Sequence, residues 1–319
     1  MIKFGGVDRI YDAYSWRITR RAKEGWRSGD VVSSSHTEGS WLDKFEKSVV
    51  KFTKRKYGVA VGSGTDALYF SLRVKGIGPG SNVLCPAVSY LATAEAIKRT
   101  GATITFVDVD RKGLIANLPA TILPDALVYV NLFGNLADYD RLRQYCDKHK
   151  IPLIEDAAQS LGSFYKKIPS GKLGDISSLS FAPSKPLPCF GNGGMVLTDD
   201  IEEAKFIRSL RYHGKGTGKL EHGYNSCLSN DHANVLNFLL SKYKSLLSRS
   251  KKVRQWYTKK LDDIGISSIE SRSDTTSNNH KLVIRAQDRD GLKAFLDTKK
   301  IQTQIHYPQP MSRMKMFDT

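Results

Sequence analysis

Lys185 stands in LSFAPSKPLPCFGNGGMV (179–196), flanked by Pro183 and Pro186, behind an apolar run and ahead of a glycine cluster. A lysine amine is a poor nucleophile at its ordinary pKa of about 10.4 and becomes useful when held neutral, as in Schiff-base chemistry. The prolines restrict the backbone around it, which suits a side chain aimed from a strand end. A solvated surface lysine is the ordinary alternative. Three other places carry comparable chemistry. Asp156 closes the apolar run PLIED (152–156), where a carboxylate is costly unless paired, and Gln159 follows one helical turn on. SGTDAL (63–68) sets small residues at a strand-to-helix turn, where the amides of Ser63, Gly64 and Thr65 can cradle an anion. PAVSYLATAEAI (86–97) puts Tyr90 in the loop that opens a helix, free to stack on a flat ring. Each has a plain structural alternative: a capping aspartate, an N-cap, a core tyrosine.

As a set they converge. An anion cradle, an aromatic platform, a buried aspartate and a lysine, in that order, match pyridoxal 5'-phosphate. That cofactor needs a lysine for its aldehyde and a carboxylate for its pyridine nitrogen. Asp156 would keep the nitrogen protonated, and the resulting cation would offset the aspartate's burial.

The elements that must position these residues alternate regularly. Strand-like YGVAV (57–61), NVLCP (82–86), ATITFVDVD (102–110), DALVYVNLFG (125–134) and PLIEDAA (152–158) are interleaved with helical periodicity over 65–77, 89–101 and 138–150. SSLSFAP (177–183) and GGMVLTDD (193–200) follow without room for a helix between them, and 202–214 is helical again. Alternation of this kind predicts an α/β class: a three-layer α/β/α large domain with a mainly parallel sheet buried on both faces. Ligands on such sheets sit beyond the carboxyl ends of the strands. Residues 1–50 read as helical and irregular, and 1–240 as one large domain. KYKSLLSRSKKVRQWYTKK (242–260) reads as an amphipathic helix with a solvated basic face. It leads a small α/β unit over 241–319, with strands at HKLVIRA (280–286) and IQTQIHYPQP (301–310) around a helix at 289–300.

The 319-residue chain is 40% hydrophobic and 25% charged, which predicts a globular rather than a disordered protein. No stretch reaches the roughly 18 apolar residues of a membrane span, and MIKFGGVDRIYDAYSW lacks the apolar core of a secretory signal. Cys85, Cys146, Cys189 and Cys227 form no CxxC pair, which predicts reduced thiols in a cytoplasmic protein, with no zinc site and no disulfide framework. The net charge of +17 is spread along the chain without a nucleic-acid motif, so an anionic small molecule is the favoured partner over nucleic acid.

The sequence resembles the DegT/DnrJ/EryC1/StrS sugar aminotransferases, pyridoxal-phosphate enzymes of the aspartate-aminotransferase fold (fold type I). The likeness is carried by FEKSVVKFTKRKYGVAVGSGTDAL (45–68), PAVSYLATAEAI, VDVD (107–110), NLFGNLADYDRL (131–142), IEDAAQSLGS (154–163), GKLGDISSLSFAPSK (171–185), GNGGMV (191–196), RYHG (211–214), HGYNSCLS (222–229) and IHYPQP (305–310). It implies that Lys185 bonds the cofactor's aldehyde and later moves the proton. Asp156 would pair with the pyridine nitrogen, with Gln159 against the ring. Gly64, Thr65 and Ser180 would bind the phosphate, and Tyr90 would stack. Asn225 matches an asparagine that reaches the neighbouring subunit's phosphate, implying a homodimer with its site at the interface. His306 and Tyr307 match a motif near the sugar nucleotide. The implied activity is transfer of an amino group, from glutamate, to a keto group of a nucleotide-linked deoxysugar in amino-sugar or surface-polysaccharide synthesis. Family members run some tens of residues past the HYP motif, so the small domain is expected to be shortened. Two other readings remain open: a sugar dehydratase of the same family, which carries histidine where this chain has Lys185, and a non-catalytic member that keeps the fold.

Overall fold

In the computed structural model, residues 1–31, 38–215 and 222–317 are described. Their order is α1 (Val7–Arg27), α2 (Trp41–Thr53), β1 (Tyr57–Val61), α3 (Gly64–Val74), β2 (Asn82–Pro86), α4 (Ala92–Thr100), β3 (Thr103–Val107), β4 (Ala126–Val130), α5 (Tyr139–His149), β5 (Leu153–Asp156), β6 (Phe164–Tyr165), β7 (Ile168–Pro169), β8 (Ile176–Ser180), β9 (Gly194–Thr198), α6 (Ile201–Leu210), α7 (Asn230–Asp262), β10 (Thr275–Thr276) and α8 (Arg289–Thr298).

Seven strands form the main sheet in the order β1-β9-β8-β5-β4-β2-β3. All run parallel except β9, which pairs antiparallel with both β8 and β1. Residues 181–193 between β8 and β9 form no helix, so no helical crossover carries the chain back for a parallel return and β9 runs antiparallel beside β8. Side-chain alternation along each strand then builds two cores. Val83, Cys85, Val128 and Ile154 face α3, α4 and α6. On the other face, Leu84, Leu127 and Leu153 pack with Leu142 and Cys146 of α5, and Leu179, Met195 and Leu197 pack with α2 and α7. The expected three layers are thus present.

Beyond this frame the sequence and structure differ in detail. The basic helix is longer than its charged stretch suggests: α7 starts at Asn230, so the expected division near residue 240 falls inside it. Its first half is buried through Val235, Leu236, Leu239 and Tyr243, and its second half is solvated. The strands expected at 280–286 and 301–310 shrink to the isolated bridges Ser268↔Ile284 and Ile2↔Ile301. Leu282 there is exposed, and α8 buries no residue. A two-chain ladder without a packed face is marginal on its own.

Candidate active site

The carboxyl ends of β5 and β8 and the start of α3 meet at one place. Ser63 ends the loop after β1 in an extended conformation and caps α3, its Oγ accepting from the Asp66 amide at 3.0 Å. That leaves the amides of Gly64 and Thr65 pointing out of the helix without an acceptor among the described residues. Ser180, the last residue of β8, sits directly against them. A Cβ on Gly64 would lie 2.6 Å from the Ser180 Cβ and 2.8 Å from its Oγ, so only glycine permits this approach. Gly194 is equally confined, since a Cβ there would meet the Ser63 carbonyl oxygen at 2.2 Å.

Asp156 and Glu155 end β5 on opposite faces, and the contrast between them is informative. Glu155 is saturated: it accepts from Asn131 Nδ2, the Ser170 and Ser177 hydroxyls and the Gly171 and Leu173 amides. It is a structural carboxylate. Asp156, only 4% exposed, accepts from Thr93 Oγ1 at 2.9 Å and from the Ala158 amide at 3.1 Å. Burial pushes its pKa up against the opposing pull of the Ala158 amide, the Lys185 charge and the Thr93 hydroxyl. Such a carboxylate is suited to a cationic partner. Ser89 Oγ, 2.9 Å from Thr93 Oγ1, fixes the threonine in turn.

Lys185 lies in the turn after β8, its amide bonded to the Ala182 carbonyl at 2.9 Å. Its Nζ is 5.6 Å from the centre of the Tyr90 ring. Among the described residues it makes no side-chain hydrogen bond and no ion pair. Burial drives its pKa below the lysine range, and the Asp156 charge opposes that shift. Tyr90 itself is 59% exposed, ahead of α4.

Gln159 spans the site's inner wall. Its Oε1 accepts from the Phe133 amide at 2.9 Å, and its Nε2 donates to the Tyr307 hydroxyl at 3.0 Å. Phe133 holds a left-handed φ of 61°, a conformation rare for a bulky residue, and its ring meets that of Tyr307 at 5.7 Å. Burial raises the Tyr307 hydroxyl to about 12. His306 meets Phe4 at a 52° tilt with ring centres 5.3 Å apart. Asn225 is exposed and pairs with Tyr212 in an isolated antiparallel bridge. It is nonetheless fixed: Ser226 Oγ donates to Asp66 at 2.7 Å, the Gly62 amide donates to the Ser226 carbonyl at 2.9 Å, and the Tyr224 and Tyr69 hydroxyls meet at 2.7 Å.

So Gly64, Thr65, Ser180, Lys185, Tyr90, Asp156, Gln159, His306 and Tyr307 converge at one end of the sheet. Sequence reasoning missed Thr93, Phe133, Phe4 and the neighbouring pair His280–Lys281. Thr93 and Phe133 lie inside motif-bearing stretches, but hydroxyl and backbone contacts leave no pattern in a sequence.

The model of the DegT/DnrJ/EryC1/StrS aminotransferase family matches residues 27–319. A Pseudomonas aeruginosa UDP-2-acetamido-2-deoxy-3-oxo-D-glucuronate aminotransferase is 34% identical over 283 residues, covering 86% of this chain and 79% of its own length. A DegT/DnrJ/EryC1/StrS aminotransferase from Brucella abortus superposes with a TM-score of 0.93 at 30% identity, over 99% of this chain and 87% of that one. NtdA of Bacillus subtilis, solved with bound cofactor PMP, gives 0.85 at 29% identity over 97% and 73%. Enzymes of this family use pyridoxal phosphate, and the fold is that of fold type I. The residues present fit the group: free α3 amides beside a glycine that a Cβ would block, an under-satisfied buried carboxylate, and a desolvated amine without a partner among the described residues.

Proposed function

This chain belongs to the DegT/DnrJ/EryC1/StrS aminotransferase family, and from that premise we propose that it moves an amino group from glutamate to a keto group of a nucleotide-linked deoxysugar. The setting is amino-sugar or surface-polysaccharide synthesis in the cytoplasm, by a homodimer with sites at its interface. The activity of the Pseudomonas relative supports the substrate class. Among the described residues, no helix is long and apolar enough to cross a membrane. The observation that carries the reading is a lysine amine and a carboxylate, both desolvated, facing one space beside free helix amides.

Pyridoxal phosphate supplies an aldehyde that condenses with amines and a ring that holds the electron pair left when a Cα proton departs. The protein's own groups divide the remaining work. Gly64 and Thr65 would donate amides, and Ser180 a hydroxyl, to the phosphate. Asp156, oriented by Thr93 and Ala158, would accept from the protonated ring nitrogen. Tyr90 would cover one ring face and Gln159 would lie against the ring. Lys185 Nζ, kept toward its neutral form by burial, would hold the cofactor through its aldehyde and would take and return the substrate proton. His306 and Tyr307 line the sugar side. Asn225, exposed beside the anchored Ser226, would reach the partner's phosphate. A lysine at 185 disfavours the dehydratase reading, because that chemistry resembles this site with histidine in its place.

Adding glutamate to the cofactor-loaded protein tests the reading. Loss of the visible absorbance band with stoichiometric release of 2-oxoglutarate is expected, followed by recovery of the band on adding a nucleotide-linked ketosugar. A stable band with no 2-oxoglutarate would refute it.

A further inference from the structure

Between α1, the Lys185 turn and α7 lies a cleft of about 440 Å³. Its walls carry four cations, Arg9, Lys185, Arg249 and Lys281, and no aspartate or glutamate among the described residues. Lys281 is placed by an aromatic ring. Its Nζ lies 4.5 Å from the centre of the Phe4 ring. Phe4 is held there by the N-terminal strap: the Ile2 amide donates to the Lys300 carbonyl at 2.8 Å, the Gln302 amide to the Ile2 carbonyl at 2.9 Å, and the Phe4 amide to Gln302 Oε1 at 3.2 Å. His306 meets the same ring. The ammonium is thus partly desolvated and fixed by a cation–π contact, yet among the described residues it makes no ion pair. Burial and the Lys185 charge lower the pKa of Lys281, so the two ammonium groups repel one another, and burial with both charges holds His306 toward its neutral form. An arriving anion would relieve that repulsion.

We propose that this cleft is a carboxylate subsite, in which Lys281 holds a carboxylate of the substrate whose reacting end lies at Lys185. The proposal rests on the transamination reading. The α3 amides serve the cofactor's phosphate, so the competing occupant of the cleft is the nucleotide's diphosphate, which both members of the acceptor pair below carry and which would therefore weaken both alike. Two substrates can bring the group: a dicarboxylate amino donor through its distal carboxylate, or a nucleotide sugar bearing a uronate. Fixed and partly desolvated, the ammonium makes a charge-assisted bond that water competes with poorly.

The test compares wild type with Lys281→Met and Lys281→Arg, all cofactor-loaded and checked for an unchanged melting temperature. In the donor arm, the ratio of kcat/KM for glutamate over alanine is measured. In the acceptor arm, the ratio is that of a 3-keto uronate nucleotide sugar over its neutral counterpart. One ratio is expected to fall about tenfold or more in Lys281→Met, in keeping with a lost bond to a charged group, and to recover in large part in Lys281→Arg. Which ratio falls identifies the substrate. Both ratios unchanged, or both members of each pair weakened alike, would overturn the proposal. Calorimetric binding of glutarate against butyrate provides a readout that needs no turnover. If wild type proves unable to transaminate, the functional reading fails, while the glutarate-to-butyrate ratio still decides the role of Lys281.

Discussion

Replacing Asp156 by asparagine separates what the site needs from what the fold tolerates. Burial raises the carboxyl pKa in the protein without cofactor. The folded chain then holds that proton more tightly than the unfolded chain does. Cofactor-free stability is therefore highest below the ordinary carboxylate pKa and is lost as pH rises through the folded value. Asparagine removes that loss and keeps the geometry: its oxygen can accept from the Ala158 amide, and its amide can face Thr93 Oγ1, whose proton can turn to Ser89. Cofactor-free Asp156→Asn is expected to melt at the wild-type temperature or above it near pH 7, at about 2 °C per kcal/mol recovered. Cofactor binding moves the other way. Removing one member of a buried ion pair costs about 3 kcal/mol or more, roughly a hundredfold in affinity. The assay is a melting curve of each cofactor-free protein together with an absorbance titration of pyridoxal phosphate. A melting temperature several degrees below wild type would refute the reasoning, and so would an unchanged dissociation constant.

Gly64→Ala sets a Cβ 2.6 Å from that of Ser180. It is expected to cost about 1–3 kcal/mol in denaturant unfolding and to weaken cofactor binding about tenfold. Lys185 has its pKa lowered by burial, so its rate of capturing added cofactor should climb with pH and level off below the ordinary lysine range. In Asp156→Asn the midpoint should move lower still, because the Asp156 charge acts to raise it; stopped-flow absorbance across the neutral to alkaline range reads both, and a midpoint moving upward would contradict the assignment. Tyr307→Phe deletes the acceptor of Gln159 Nε2. A stability loss of about 1 kcal/mol is expected, with the sugar half-reaction slowed more than the glutamate half-reaction.

Much of this architecture is legible in the order of residues along the chain. Regular alternation of apolar runs and helical periods announces the sheet, and the missing helix between 183 and 193 announces the antiparallel β9. Gly64, Tyr90, Asp156 and Lys185 come together because strand ends in such sheets share one edge. What the sequence conceals depends on distant pairing. Thr93 and Asp156 are 63 positions apart, and nothing local to either marks the bond. Phe4 and Lys281 meet only because the first residues cross to Ile301. The strands expected at 280–286 and 301–310 have the right composition, but no neighbouring face to bury them.

Borohydride reduction followed by peptide mass spectrometry tests the central claim most directly. Protein incubated with pyridoxal phosphate and reduced should carry the cofactor's mass on the peptide containing Lys185, with loss of the visible band, and Lys185→Ala should carry none. Label on another lysine, or an absorbance spectrum identical in wild type and Lys185→Ala, would contradict the account.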